Sequence, residues 1–387
     1  MLKNLLSADL PRSRMLGLLL SVILFCLALG PFLFDGTRAF TMLGMICIFI
    51  IVVASYDLML GYTHIVSFAH TMFFGIGAYG VAMALGAYGN SIGAVFIGLV
   101  LALLLTLVLS LLLGLLSLRV KAIFFALVTL AVAFAFLSLV NQLYAITGGE
   151  DGLRVQVPRE LGPAWRFSDA VLQGWSPGRF LNAWLGGSAG AAEAARDAWF
   201  QVRLTGRVLM YYLVFVVSAV VFLGLLRVVN SPFGSVLQAI RENEFRAQAL
   251  GYRTVLYRTA AVCFASLLAC LAGALFALFN RYVNPENTLN FELMVFILLM
   301  CVIGGMGTLY GAVVGVVVFL LAQNYLQDVL KAIAALMPEG SFLAALAAPE
   351  RWLLWFGVLF VLSVYFFPAG IAGQLRLRAA RRRQQAT

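Results

Sequence analysis

The stretch "SPFGSVLQAIRENEFRAQALGYR", Ser231 to Arg253, decides how the rest of the chain is read. It is polar and built of good helix formers. An apolar run, about 207–229, precedes it, and another, about 255–279, follows it. Each flank is long enough to cross a hydrocarbon core of roughly 30 Å as helix, and the island between them is not apolar enough to follow. Ser231 suits an N-cap and Pro232 the first helical position, while Gly251 offers a stop. Phe245 interrupts the apolar stripe of Leu237, Ile240, Ala247 and Leu250, so one helix and two short ones fit equally well.

Composition extends this contrast to the whole chain. Of 387 residues, 63% are hydrophobic and 11% charged. Soluble domains run at about 45–50% apolar and about 25% charged. The fold expected is an all-α, polytopic transmembrane helical bundle of about ten spans. They fall near 15–34, 39–59, 66–87, 92–117, 121–144, 207–229, 255–279, 291–309, 311–330 and 352–371. The third and eighth are cut by glycines. The N-terminal apolar run lacks a clean small-residue cleavage site and reads as an uncleaved first span.

Charge sets the orientation. With the N-terminus cytoplasmic, fifteen basic residues fall on inside segments and four on short outside loops. That is the positive-inside bias, and it puts both termini in the cytoplasm. The division expected is an N-terminal transmembrane half (1–146), an extracytoplasmic insert (147–206), a C-terminal transmembrane half (207–371) and a basic tail (372–387). The insert is rich in Gly, Pro and Trp. It reads as loops with one helix around "AGAAEAARDAW", serving as a lid or as a docking surface.

Several chemistries are missing. "GIGAYG", Gly75 to Gly80, matches GxGxxG but lies in an apolar span rather than a strand–turn–helix unit, so it is no dinucleotide site. The three lysines follow no GxxxxG, so the chain carries no phosphate loop of its own. His64 and His70 are six apart and do not share a helix face. The five cysteines sit in apolar runs without metal spacing. No catalytic, metal or cofactor residues are assigned. Asp57, Glu292 and Asp328 fall near span ends, which leaves little mid-membrane charge for an ion-coupled carrier.

Two further constellations remain. "GYTHIVSFAHTMFFGIGAYG", residues 61–80, mixes Gly61, Tyr62, Ser67 and His70 with Phe74, Gly75, Gly77 and Tyr79. "IGGMGTLYGAVVG", residues 303–315, adds Gly304, Gly305 and Gly307. Paired glycine-dense interruptions in two halves of a membrane chain point to a translocation pathway, by analogy with secondary carriers.

With the 231–253 island, these stretches give the chain a family likeness. It resembles the permease subunits of branched-chain amino-acid ABC transporters. The resemblance rests on four motifs in order: residues 61–80, "TGGEDGL" at 147–153, "FGSVLQAIRENEFRAQALG" and the glycine run 304–315. It covers about residues 40 to 371. It implies an importer permease fold that forms the transmembrane pathway for hydrophobic amino acids. The implied partners are a second, homologous permease, two cytoplasmic ABC ATPases that bind ATP and Mg, and an extracytoplasmic amino-acid-binding protein. The implied setting is a bacterial inner membrane, with no nucleic acid involved. It also assigns ATPase coupling to Arg241, Glu242, Asn243, Glu244, Phe245, Ala247, Leu250 and Gly251. Phe245 and Arg246 stand where the general importer pattern has Glu and Ala. Urea or short-chain amides are the alternative substrates, and an ion-coupled carrier is the competing mechanism.

Overall fold

A computed structural model describes residues 13–116, 122–162, 165–177, 179, 198–335, 348–366 and 369–376. The described residues include twelve principal helices, α1 to α12 in chain order. The first five are α1 (Arg14–Ala28), α2 (Thr37–Thr63), α3 (His70–Tyr88), α4 (Ile92–Leu116) and α5 (Ala122–Gln142). After the insert come α6 (Gly206–Val229), α7 (Pro232–Glu242), α8 (Glu244–Ala249) and α9 (Thr254–Asn280). The last three are α10 (Phe291–Gly304), α11 (Leu309–Ala335) and α12 (Trp352–Phe366).

Among the described residues, eight helices are long and apolar enough to cross a membrane. Eight of the ten expected spans therefore have a full-length helix. Of the outermost two, α1 has 15 residues, and α12 is described for 15, up to the edge of the described residues. At 1.5 Å per residue α1 covers about 22 Å, less than a hydrocarbon core of roughly 30 Å.

α2 is the central post. From Met42 to Thr63 every residue is buried except Met45. It packs against α6, α9, α10 and α11. α3 crosses α9, and α4 lies against both. The sequence of α4 explains its placement. Ala94, Gly98, Ala102, Thr106, Ser110 and Gly114 recur every four residues and form its buried stripe. Most of the leucines between them point outward, as lipid contact requires, with Leu113 buried, while the small residues let backbones approach.

The crossing of α3 and α9 depends on two glycines. A Cβ at Gly77 would run into the Cys270 carbonyl oxygen, and one at Gly273 into the Phe74 carbonyl oxygen. The two helices thus touch backbone to backbone. α3 runs unbroken through Gly75, Gly77 and Gly80. The interruption expected in this span lies earlier instead, at residues 64–69, where left-handed His64 (φ 55°) ends α2. The second glycine-dense break is present between α10 and α11, with Gly305 at φ 116° and Gly307 at φ 76°.

The fold is not purely helical. β1 (Leu153–Arg154) pairs antiparallel with β4 (Tyr282–Val283), tying the start of the insert to the loop after α9. Within the insert, β2 (Arg166–Trp175) pairs antiparallel with β3 (Trp199–Thr205). This ribbon replaces part of the expected loops. The helix expected around 189–199 lies almost entirely outside the described residues, apart from Ala198 in a turn and Trp199 in β3.

Candidate functional site

Helix direction places the ends of the spans on two faces. The C-terminal ends of α2, α4, α6 and α10 share one face with α7, α8 and the helical residues 370–376. The described residues of the insert and the loops after α3 and α9 lie on the other.

The first face carries the polar island 231–253, and it is two helices. Asn243 is extended (φ −159°) and ends α7. Its Oδ1 accepts from the Arg246 backbone N–H at 3.0 Å, so the same residue caps α8. Ser231 occupies the N-cap position of α7, but its hydroxyl donates to the Val228 carbonyl instead of accepting from the helix. Gly251 (φ 89°) closes α8 as expected. Its N–H donates to the Gln248 carbonyl and that of Tyr252 to the Ala247 carbonyl, a left-handed C-cap.

The eight residues assigned to this segment divide between two directions. Phe245 is 84% exposed and Leu250 71%, and Glu242 and Gly251 are exposed beside them. Ala247 is buried beneath. Glu244 turns back on the bundle, accepting from Arg258 at 2.8 Å and from the Thr254 hydroxyl at 3.3 Å. Arg241 turns further in. Its Nη1 donates to the Gly61 carbonyl, and its Nε donates to His64 Nε2 at 3.1 Å. Burial and the Arg241 charge both hold the His64 imidazole below its usual pKa, which keeps Nε2 an acceptor.

Beside Arg241 stands Asp57, two turns before the end of α2 and 1% exposed. Its Oδ1 accepts from the Gly307 N–H at 2.7 Å and from the Cys301 thiol at 3.4 Å. A Cβ at Gly61 would meet Asp57 Oδ1 and the Gly307 nitrogen, and one at Gly307 would meet Arg241 Nη1. The two glycine-dense stretches and the polar island therefore converge on one knot. Asp57 looked in sequence like an ordinary span-end charge. The signal was a lone carboxylate inside a 27-residue apolar helix.

The other pathway residues are packed inside. Tyr62 is buried near the end of α2, and Ser67 is buried in the 64–69 turn, where its hydroxyl accepts from the Ala69 N–H at 3.3 Å. His70 begins α3, with Nε2 3.1 Å from the Ser55 hydroxyl and 3.2 Å from the Val52 carbonyl. Gly75 faces the Leu289 side chain, and Gly304 faces the Gly311 backbone across the α10–α11 hairpin. Gly305 lies against 369–373. Tyr79 is buried, and its hydroxyl has no partner among the described residues.

A cleft of about 990 Å³ opens on the opposite face between α2, α9, α10 and α11. Asn280, Glu286, Asn290, Glu292, Gln323 and Gln327 ring its mouth. Met42, Met45, Phe49, Phe276, Phe296 and Met300 line it deeper. None of the eleven pathway residues read from sequence lines this cleft. Phe74 stands one layer behind it, with its ring 6.4 Å from Phe49 and 5.3 Å from Phe276. Sequence offered one sign of the cleft: Gln323, Asn324 and Gln327 share a face of an otherwise apolar helix. Among the described residues, no group of three His, Cys, Asp or Glu could hold a metal ion.

Comparison with known proteins agrees with this architecture. Residues 38–364 match the family described as "Branched-chain amino acid transport system / permease component". The high-affinity branched-chain amino acid transport system permease protein LivM of Salmonella typhimurium is 26% identical over 288 residues, 73% of this chain and 62% of the relative. LivM of Escherichia coli K12 is 27% identical over 311 residues, 79% of this chain and 68% of the relative. The probable LivM of Methanocaldococcus jannaschii is 29% identical over 164 residues, 41% of this chain and 45% of the relative. The chain thus spans about three fifths of the length of the Salmonella protein. No solved structure matches it.

Proposed function

The chain belongs to the branched-chain amino acid transport permease family, and from that premise we propose that it is one membrane-spanning half of an ATP-driven importer of hydrophobic amino acids. One observation carries the reading. A capped helix pair stands off the bundle and holds Phe245 and Leu250 almost bare. Exposed large apolar side chains on a polar segment mark a protein contact. A chain without a nucleotide site needs such a contact with the ATPase that drives it. Glu242 sits at the rim, while Arg241 and Glu244 anchor the pair from behind. This face would be cytoplasmic, in line with the basic residues gathered there.

The cleft on the opposite face suits the outer half of the pathway. Its mouth is polar and its depth is Met and Phe, a gradient that fits a small solute with a charged head and an apolar side chain. Glu286 and Glu292 supply negative charge for an ammonium group. Neither urea nor a short amide carries that charge. A second permease would complete the wall, and an external binding protein would deliver the solute.

The test is co-expression with the ABC ATPases and the second permease, purification, and reconstitution with labelled leucine. The assembled complex takes up leucine only with ATP, and this chain alone neither hydrolyses ATP nor moves leucine. Replacing Phe245 and Leu250 together by Ala strips the ATPases from the complex; truncation of a buried hot-spot residue costs about 2 kcal/mol or more. Leucine flux through the chain alone, without ATP, would overturn the proposal.

A further inference from the structure

We infer that Arg241 is the residue that carries movement of the helix pair into the membrane, by exchanging its guanidinium between the Gly61 carbonyl and the free oxygen of Asp57. The inference rests on the importer reading above.

Three observations meet here. First, Arg241 is the only residue of α7 shown hydrogen-bonding into the end of α2, through Gly61 and His64. Its two partners lie at that C-terminus, where unpaired carbonyls and the helix dipole favour a cation. A displacement of α7 therefore pulls first on this contact. Second, Asp57 Oδ2 is buried and has no hydrogen-bond partner among the described residues, while Oδ1 holds the Gly307 N–H and the Cys301 thiol. A buried acceptor left unmade is costly, and a carboxylate oxygen more so than a neutral one. That oxygen can accept from a charged donor brought within reach. Third, the approach of these groups depends on two residues without side chains. A Cβ at Gly61 would meet Asp57 Oδ1 and the Gly307 nitrogen, and one at Gly307 would occupy the place of Arg241 Nη1.

These features define two arrangements of one side chain. In the one observed, the guanidinium holds the carbonyl and the imidazole, and Asp57 holds the α10–α11 turn alone. In the other, the guanidinium forms a two-pronged pair with Asp57, the geometry arginine favours with a carboxylate. Asp57 then draws α7 toward the turn that begins α11. Both arrangements use the same few atoms, so a small shift of α7 selects between them, as a switching element requires. A plain helix cap would need neither the unpaired oxygen nor glycine at both 61 and 307.

The experiment uses the reconstituted complex with leucine, its binding protein and the ATPases. Arg241→Gln and Asp57→Asn are compared singly and together, with Arg241→Lys as the conservative variant. The expected result is that the ATPases still co-purify with each variant. Leucine uptake, and the rise in ATP hydrolysis on adding leucine-loaded binding protein, fall about 5- to 150-fold, the span of an ordinary coupling free energy. The double variant is no worse than either single one, because both remove the same pair. Arg241→Lys recovers part of the loss. Wild-type uptake by Arg241→Gln or Asp57→Asn overturns the inference, as do additive losses in the double variant. Failure of every variant, Lys included, to assemble with the ATPases also overturns it, because the role is then structural. Failure of the wild-type complex to move leucine with ATP counts instead against the importer reading.

Discussion

Gly77 shows how much of this molecule is decided by single atoms. Replacing it by Ala places a methyl group in the Cys270 carbonyl, and α3 must move away from α9. Overpacking of this kind costs about 1–3 kcal/mol. Gly77→Ala and Gly273→Ala are each expected to lower the melting temperature of the detergent-purified protein, whereas Gly86→Ala, which meets nothing within 4 Å, leaves it unchanged. His64 adds a pH effect. Its Nε2 accepts from Arg241 only when the ring is neutral, and the folded pKa lies below the ordinary 6.5. The bond is therefore complete above about 6.5 and is lost as pH falls through the lowered value. Arg241 is the charged group that faces it. His64→Gln keeps an acceptor that does not titrate, so the uptake-against-pH profile of this variant should lack the acid-side step of the wild type. At this scale the sequence was legible where cause and effect are adjacent. Gly251 could be read as a stop because a C-cap needs only its own turn. The inward course of Arg241 could not, because its acceptor at Gly61 is 180 residues away.

The helix pair α7–α8 is held apart by Asn243, which ends one helix and caps the next. Losing a cap of this type costs about 1 kcal/mol, within roughly 0.5–2. Asn243→Ala is expected to speed amide exchange across α8 while exchange in α2 and α9 stays as it was; equal protection throughout would assign the break to packing instead. Spans were the most legible elements, because an apolar run of about 20 residues has few alternatives in a chain of this composition. Their internal behaviour was less so. The glycines of α3 read as a break, yet with α9 pressed against them they mark contact, and a glycine alone does not say which. The β2–β3 ribbon was missed for a different reason. "RFSDAVLQGW" and "WFQVRLT" carry aromatic and β-branched residues, but they pair across an intervening segment and with a shifted register between Arg166 and Val171. No local turn signal announces such a pairing.

For the whole molecule, the two faces are chemically unlike, and the cleft makes that testable. Glu286→Gln with Glu292→Gln should raise the leucine concentration needed for half-maximal uptake without dislodging the ATPases; an unchanged value would remove these carboxylates from the path. The bundle and the polar segment that interrupts it were readable from sequence because hydropathy and charge are summed over many residues. The cleft was not, because its wall is assembled from four helices that only tertiary packing brings side by side. The same non-local assembly bears on how the protein is made. Asp57 gains its Gly307 partner from a residue 250 positions later in the chain. At 5–20 residues per second, the ribosome needs roughly 12–50 s to supply it. For that interval α2 sits in the insertion machinery or the lipid with a carboxylate unmatched. Completion of α10 and the turn after it is thus the event that lets α2 settle, and chains released before that point would present an orphan acid to membrane proteases.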